Sequence, residues 1–355
     1  MLGLLSDLPR KNCWTIAEWA GEATPDGMQH LLGRAKWDAD QVRDEVRLRG
    51  GASPRRPGGA GGRRDRDVKK GARTVGVQRQ YTGAAGRIEN SQVAVYLVYV
   101  GRRGHAAVDR ELYVPRSWSS EPERCRAAGL AQETAFATKP ELAARMIGRF
   151  LDAGHRAPWV AGDEVYGGNP KLRAALEERG CGYVLAVART HEVPTHAGKF
   201  RADALAKKLP KRAWQKLSAG AGAKGHRFYD WAVIDLAYPR PGSHQLLIRR
   251  NRGTGELAFY RCYSPRPVPL TELVRVAGSR WRVEEFFQSG KGLAGLDEHQ
   301  VRRFASWSRW VTLAMLAHAF LAVVRADEHA RHPGPADLIP LTCNEIQRLF
   351  TTLTG

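Results

Sequence analysis

The sequence is short of acid, of cysteine and of long apolar runs. Its 355 residues hold five cysteines, Cys13, Cys125, Cys181, Cys262 and Cys343, with no Cys-x-x-Cys pair. That spacing excludes a disulfide framework and a cysteine-built zinc site, and reads as single thiols in a reducing compartment. The opening Met1-Leu2-Gly3-Leu4-Leu5-Ser6-Asp7 has no basic region and too short an apolar run for a signal peptide. The most apolar stretch, Trp310–Val324, is 15 residues long and contains His318, short for a bilayer span and better read as a buried core helix. No membrane partner is expected, and the expected location is cytoplasmic. There are no internal repeats. Asp plus Glu is 36 against 56 Lys plus Arg, a formal net charge of +20. This excludes an acidic solvating chain and points to a polyanionic partner, since each phosphate neutralised releases counterions. With 43% hydrophobic residues, global disorder is excluded as well.

What is there falls into segments. Residues 1–49 read as polar helices, suited to DNA contact or equally a generic helical pair, with Thr24-Pro25-Asp26 as a helix start. Residues 50–66 hold six Gly, five Arg and two Pro with no large apolar side chain, so a flexible linker is expected over 50–75. From 76 an α/β alternation follows. Strands are expected at 91–100, 105–114, 159–163 and 183–188, and helices at 140–154 and 169–180. Residues 189–264 read as a basic, mostly β insertion. Its part 189–252 carries fourteen Lys and Arg against four Asp and Glu, half of the chain's net charge, with aromatics interleaved. Helices are expected at 270–290 and 306–325, and 331–355 as a tail. Lys207, Lys208, Lys211, Arg212 and Trp231 are the candidate DNA-binding residues, the aromatic for stacking on unpaired bases.

Two acids stand out. Asp163 ends an expected strand in Gly162-Asp163-Glu164-Val165-Tyr166-Gly167, where a carboxylate is presented at a sheet edge or merely caps the next helix. Arg280, Glu284 and Lys291 fall at i, i+4 and i+11 of one helix pattern. A carboxylate between two cations on one face suits a metal ion with adjacent phosphates, and equally a solvated ion-pair ladder. The pairs His191/His196 and His329/His332 lack further ligands and read as solvent-exposed.

Several stretches together resemble the DDE transposases of bacterial insertion sequences, in the group with a Tyr-x2-Arg-x3-Glu-x6-Lys signature. They are Gln78-Arg79-Gln80-Tyr81-Thr82-Gly83, Gly86-Arg87-Ile88-Glu89-Asn90, Gly162 to Gly167, Arg280-Trp281-Arg282-Val283-Glu284-Glu285-Phe286, and Gly295-Leu296-Asp297. The resemblance implies an α/β, ribonuclease-H-like mixed sheet with flanking helices and a mostly β insertion before the last catalytic helix. The core would then be 76–188 and 265–330. It implies Asp163 and Glu284 as catalytic, metal-binding carboxylates, with Arg280 and Lys291 in support. It also implies two Mg²⁺ (or Mn²⁺) ions about 4 Å apart activating water or a DNA 3′-OH for in-line displacement. The partners implied are double-stranded DNA, as element ends and target, and a second copy of the chain in a homodimeric DNA complex at the nucleoid.

Two elements of that pattern are missing. The signature tyrosine position holds Ala277, and the first catalytic Asp, counted back from Lys69-Lys70-Gly71, falls on Arg63. Asp65 and Asp67 are nearby acids outside the matching offset. A frameshift recovering its frame near Asp67, in a decayed or truncated copy, accounts for the lost motif and the Gly/Arg composition. The expected function is therefore cutting and joining of element ends, impaired by loss of the first Asp. The alternatives are a catalytically inactive DNA-binding relative and an RNA-binding protein.

Overall fold

The computed structural model describes residues 1–49, 59–69, 71–82, 86–222, 225–332 and 341–354. Its strands are β1 (Gly59–Val68), β2 (Gln78–Thr82), β3 (Arg87–Val100), β4 (His105–Leu112), β5 (Trp159–Gly162), β6 (Gly182–Val187), β7 (Glu192–Thr195), β8 (Gly198–Arg201), β9 (Gln215–Gly222), β10 (Gly225–Asp235), β11 (Ser243–Arg250) and β12 (Leu257–Ser264). The chain divides into two compact units. One comprises Met1–Arg56, Arg64–Thr138 and Glu284–Gly355, and the other Pro57–Arg63 and Lys139–Val283. Mixed α/β architecture is present in both.

The first unit is built on β3. Residues 91–99 of this strand are all buried, which explains why its sequence runs apolar without alternation. β2 pairs antiparallel with its first half, Gln78 opposite Ser91, and β4 with its second half, Val100 opposite His105. Tyr96 packs edge-on to Phe287, with ring centroids 5.3 Å apart, on the helix Trp281–Ala294. The 28-residue helix Phe304–Arg331 is long and apolar enough to cross a bilayer. Here Trp307, Trp310, Val311, Ala314, Met315, Ala317 and Leu321 are buried within the protein, so it is a core helix.

The N-terminal helices fold into this same unit. Val46, on the helix Ala39–Arg49, packs with Ala106 and Ala319. Arg47 donates to Val108 O at 3.1 Å and pairs with the fully buried Asp109, and Arg43 Nε lies 3.8 Å from the same carboxylate. These two arginines neutralise a buried acid, so they are spoken for as structural cations. The C-terminal stretch expected as a tail also packs here. In the helix Cys343–Thr354, Gln347 donates to Leu5 O and Leu293 O, each at 2.9 Å. Residues 333–340 lie outside the described residues.

In the second unit the sheet order is β1-β5-β6-β12-β11-β10-β9. β1, β5 and β6 are parallel, and the pairs from β6 to β9 are antiparallel. Helix Leu270–Ser279 covers one face, where Leu273, Val274 and Val276 meet Trp159, Val184, Trp231, Leu247 and Tyr260. Val193, Ala202, Ala206 and Leu236 meet Leu246, Ile248 and Phe259 in a second cluster. The basic insertion is thus mostly β, as expected. Its strands β9–β12 extend the parallel strands by direct pairing, Phe259 opposite Val187, rather than forming a separate body. Gly278 explains how close the covering helix lies, since a Cβ there would fall 1.9 Å from Ala219 O. The expected single helix over 270–290 is two, divided at Arg280.

The largest departure concerns the Gly/Arg stretch. Over Gly59–Val68 it is not a linker but strand β1, with Gly59, Ala60, Gly61 and Gly62 in parallel register with Trp159, Val160, Ala161 and Gly162. Backbone hydrogen bonds of a ladder need no side chain, and glycine's entropic cost is met by a neighbour already fixed between β1 and β6. Residues 50–58 of the same expected linker lie outside the described residues.

Candidate functional site

Asp163 follows β5 directly in the second unit. Its backbone is extended, and its Oδ1 accepts the Val165 N–H at 2.9 Å, capping the short helix Glu164–Gly167. The neighbouring glycines fix that turn. A Cβ on Gly167 would lie 1.9 Å from Ala186 O of β6, and one on Gly162 would lie 3.0 Å from the Leu185 side chain. Tyr166 is buried between them, and Arg173 donates to Gly167 O. Asp163 is half-buried at a strand end and serves as a helix cap.

Arg280 closes the helix Leu270–Ser279 in this unit. Ala277, at the signature tyrosine position, packs against the core under that helix. Four cations expected to meet DNA, Lys207, Lys208, Lys211 and Arg212, are exposed. Aromatics do accompany the cations nearby. Lys208 Nζ stands 4.9 Å over the Phe200 ring, Lys216 Nζ 5.0 Å over Phe228, and the Arg250 guanidinium 4.2 Å over Trp214. Trp231 is a correction. It is 1% exposed, its indole N–H donates to Leu217 O at 3.3 Å, and its ring lies 6.2 Å from Tyr260 under the covering helix. Strand alternation decides this: Tyr229 and Trp231 share the covered face, and Phe228, 48% exposed, takes the other.

In the first unit Glu284 and Lys291 lie on the helix Trp281–Ala294, two turns apart, both partly exposed. Lys291 Nζ is 3.4 Å from Asp67 Oδ1 and 3.3 Å from Asp297 Oδ2. Asp67 is on β1, with its side chain 10% exposed. Its second oxygen lies 3.6 Å from Nε2 of the fully buried His299 ring. Lys69, two residues along the chain, donates to Asp297 O at 3.2 Å and His299 O at 3.0 Å. Burial raises the Asp67 pKa, the loss of hydration outweighing the charges of Lys69 and Lys291 that pull it down. The partners arrive by a tight helix end. Gly295 has φ +60°, Leu296 N–H donates to Gly290 O at 3.1 Å, and the Trp310 indole donates to Gly295 O at 2.9 Å.

Sequence reasoning had Lys291 and the Gly295-Leu296-Asp297 motif but missed Asp67, Lys69 and His299 as their partners. The available signal was parity: Asp67 and Lys69 are two apart, hence on one side of an extended strand. The side chains of Arg63 and Asp65 lie outside the described residues, as does Lys70.

Among the described residues no three His, Cys, Asp or Glu side chains gather around one point. The Asp67 carboxylate is held by an ammonium, and Asp163 Oδ1 by a backbone N–H.

Comparison with known proteins gives two findings. A family model described as DDE superfamily endonuclease matches residues 1–244. The chain is 32% identical over 196 residues to the probable transposase for insertion sequence element IS701 of Microchaete diplosiphon, covering 54% of this chain and 48% of the relative. The matched stretch thus spans about half the length of that curated relative.

Proposed function

Because the chain belongs to the DDE superfamily of endonucleases, we propose that it is a transposase-type protein that binds double-stranded DNA, with its strand cutting and joining impaired. The observation that carries the DNA reading is the exposed basic run Lys207, Lys208, Lys211 and Arg212 beside cation–aromatic pairs, in a chain of net charge +20. Such distributed cations neutralise backbone phosphates irrespective of any metal centre. Family endonucleases work with divalent metal ions, Mg²⁺ or Mn²⁺, two in an intact site. Asp163 and Glu284 are each proposed as a metal-facing carboxylate, and Arg280 and Lys291 each as a phosphate-holding cation. Impairment rests on the chain's own residues: Arg63 stands at the first carboxylate position, and Asp67, the nearest described acid on that strand, is already paired with Lys291. A cation at that position repels a metal ion. A homodimer on DNA and residence at the nucleoid complete the proposal.

Two measurements test it. Fluorescence anisotropy with a mixed-sequence duplex should give salt-dependent binding. Replacing Lys207, Lys208, Lys211 and Arg212 together by Gln should flatten the log–log salt slope by as much as about 3–4 units. An unchanged slope removes this surface from the interface, and preference for RNA over duplex in competition overturns the DNA reading. For catalysis, wild type and Arg63→Asp are compared in a Mg²⁺- and Mn²⁺-dependent nicking assay on supercoiled DNA. Nicking by wild type would refute the impairment.

A further inference from the structure

We propose that Asp67 is the built-in counter-anion of Lys291, rather than a metal ligand, and that it sets how strongly Lys291 engages a DNA phosphate. This deepens the DNA reading and rests on it. Lys291 lies between two carboxylates at nearly equal distance, 3.4 Å to Asp67 and 3.3 Å to Asp297. The two acids differ in setting. The Asp67 side chain is 10% exposed and that of Asp297 is 33% exposed. Water therefore screens the Asp297 contact more than the Asp67 contact.

The wider group argues in the same direction. Asp67 feels a second ammonium, Lys69, which the carbonyls of Asp297 and His299 hold in place. A phosphate approaching Lys291 must compete with Asp67 for the ammonium and meets the carboxylate's own negative charge. Asp67 thus lowers the attraction of this site for DNA, and two ammoniums beside it leave little attraction for a divalent cation.

The test uses the full chain and a 30-base-pair duplex of mixed sequence. Asp67→Asn removes the charge and keeps the shape. It is expected to tighten binding several-fold at 100 mM KCl and to steepen the log–log salt slope by about one unit, one more effective phosphate contact. Asp297→Asn should act in the same direction by less, and serves as the second variant where Asp67→Asn folds poorly. In a Lys291→Gln background, Asp67→Asn should leave affinity unchanged within twofold. A second readout is free of DNA: the rate at which Lys291 is acetylated by acetic anhydride, read by peptide mass spectrometry. Loss of the anion leaves less to hold the ammonium protonated, so Asp67→Asn should speed acetylation several-fold. Equal or weaker DNA binding by folded Asp67→Asn, or the same gain in the Lys291→Gln background, overturns the proposal. So does Mn²⁺ binding, titrated without DNA, that wild type shows and Asp67→Asn loses. A wild type that binds no duplex at any salt sinks the DNA reading, and the acetylation rates then decide the ion pair by themselves.

Discussion

Trp231 is where a surface reading and a core reading make opposite quantitative predictions. Its side chain is 1% exposed and packs among Tyr229, Tyr260 and the helix Leu270–Ser279. A buried tryptophan hides roughly 200 Å². At about 25 cal/mol per Å² that is ~5 kcal/mol as an upper bound, because denatured chains already hide some of it. Truncation to Ala also leaves a cavity beneath the helix and Leu217 O without its indole donor, which costs about 1 kcal/mol more. Core Trp→Ala changes settle at about 3–5 kcal/mol, and that is the loss expected for Trp231→Ala. Trp231→Phe keeps most of the volume and should lose roughly 1–2 kcal/mol, by analogy with partial truncations. Urea denaturation followed by circular dichroism reads both. Anisotropy with duplex DNA at zero urea then separates stability from binding, and the Phe variant should bind as wild type does. An Ala variant with an unchanged urea midpoint and tenfold weaker DNA binding would refute the reasoning and return Trp231 to the surface.

Two further outcomes follow from buried ionisable groups. His318 is buried, its Nε2 stands 2.8 Å from Ser289 Oγ, and desolvation lowers its pKa to about 4 from the usual 6.5. The unfolded chain therefore binds a proton between those values that the folded chain refuses. Stability is unaffected above pH 6.5 and should fall by roughly 3 kcal/mol as pH drops to 4. His318→Gln should remove that component from a series of urea melts across pH, and a pH dependence identical to wild type would count against it. Asp109 is fully buried against Arg47 and Arg43. Asp109→Asn should cost about 3 kcal/mol by leaving buried cations undercompensated, read as a lowered midpoint in the same melts, and a loss below 1 kcal/mol would show that Asp40 and Asp44 suffice.

Much of the fold was legible where side chains carry the signal. The β-branched run at 91–100 is β3, the i, i+4, i+8 pattern of Leu142, Met146 and Phe150 is the helix Lys139–Asp152, and the strand ending in an acid is β5 before Asp163. The insertion was legible as mostly β, with strands near 229–237, 245–250 and 256–263 that correspond to β10, β11 and β12, whereas β7, β8 and β9 were not found. β1 was not, because composition reasoning asks what a strand's side chains bury, and this strand is held by main-chain pairing to β5. Asp67 was lost with it: an acid judged to be in a linker has no assigned face. Trp231 failed differently. Aromatics among lysines suggest a stacking surface, yet period-two alternation within β10 had already placed Trp231 with Tyr229 and not with Phe228. Asp163 resisted decision because a strand-end carboxylate and an N-cap use one residue in one backbone conformation.

The pairing of β1 with β5 also orders events in time. The strands β9 to β12 meet through connections of two to seven residues, so they are able to zip together locally as soon as they are made. Gly59 must instead wait for Trp159, one hundred residues later, and find it in parallel register. Gly59, Ala60, Gly61 and Gly62 bring no large apolar group to hold them there early. The segment is therefore expected to dock late in its sheet. Its amides are expected to exchange ahead of those in β11 and β12 in native-state hydrogen exchange. A strand written in glycine and arginine completes this fold without nucleating it.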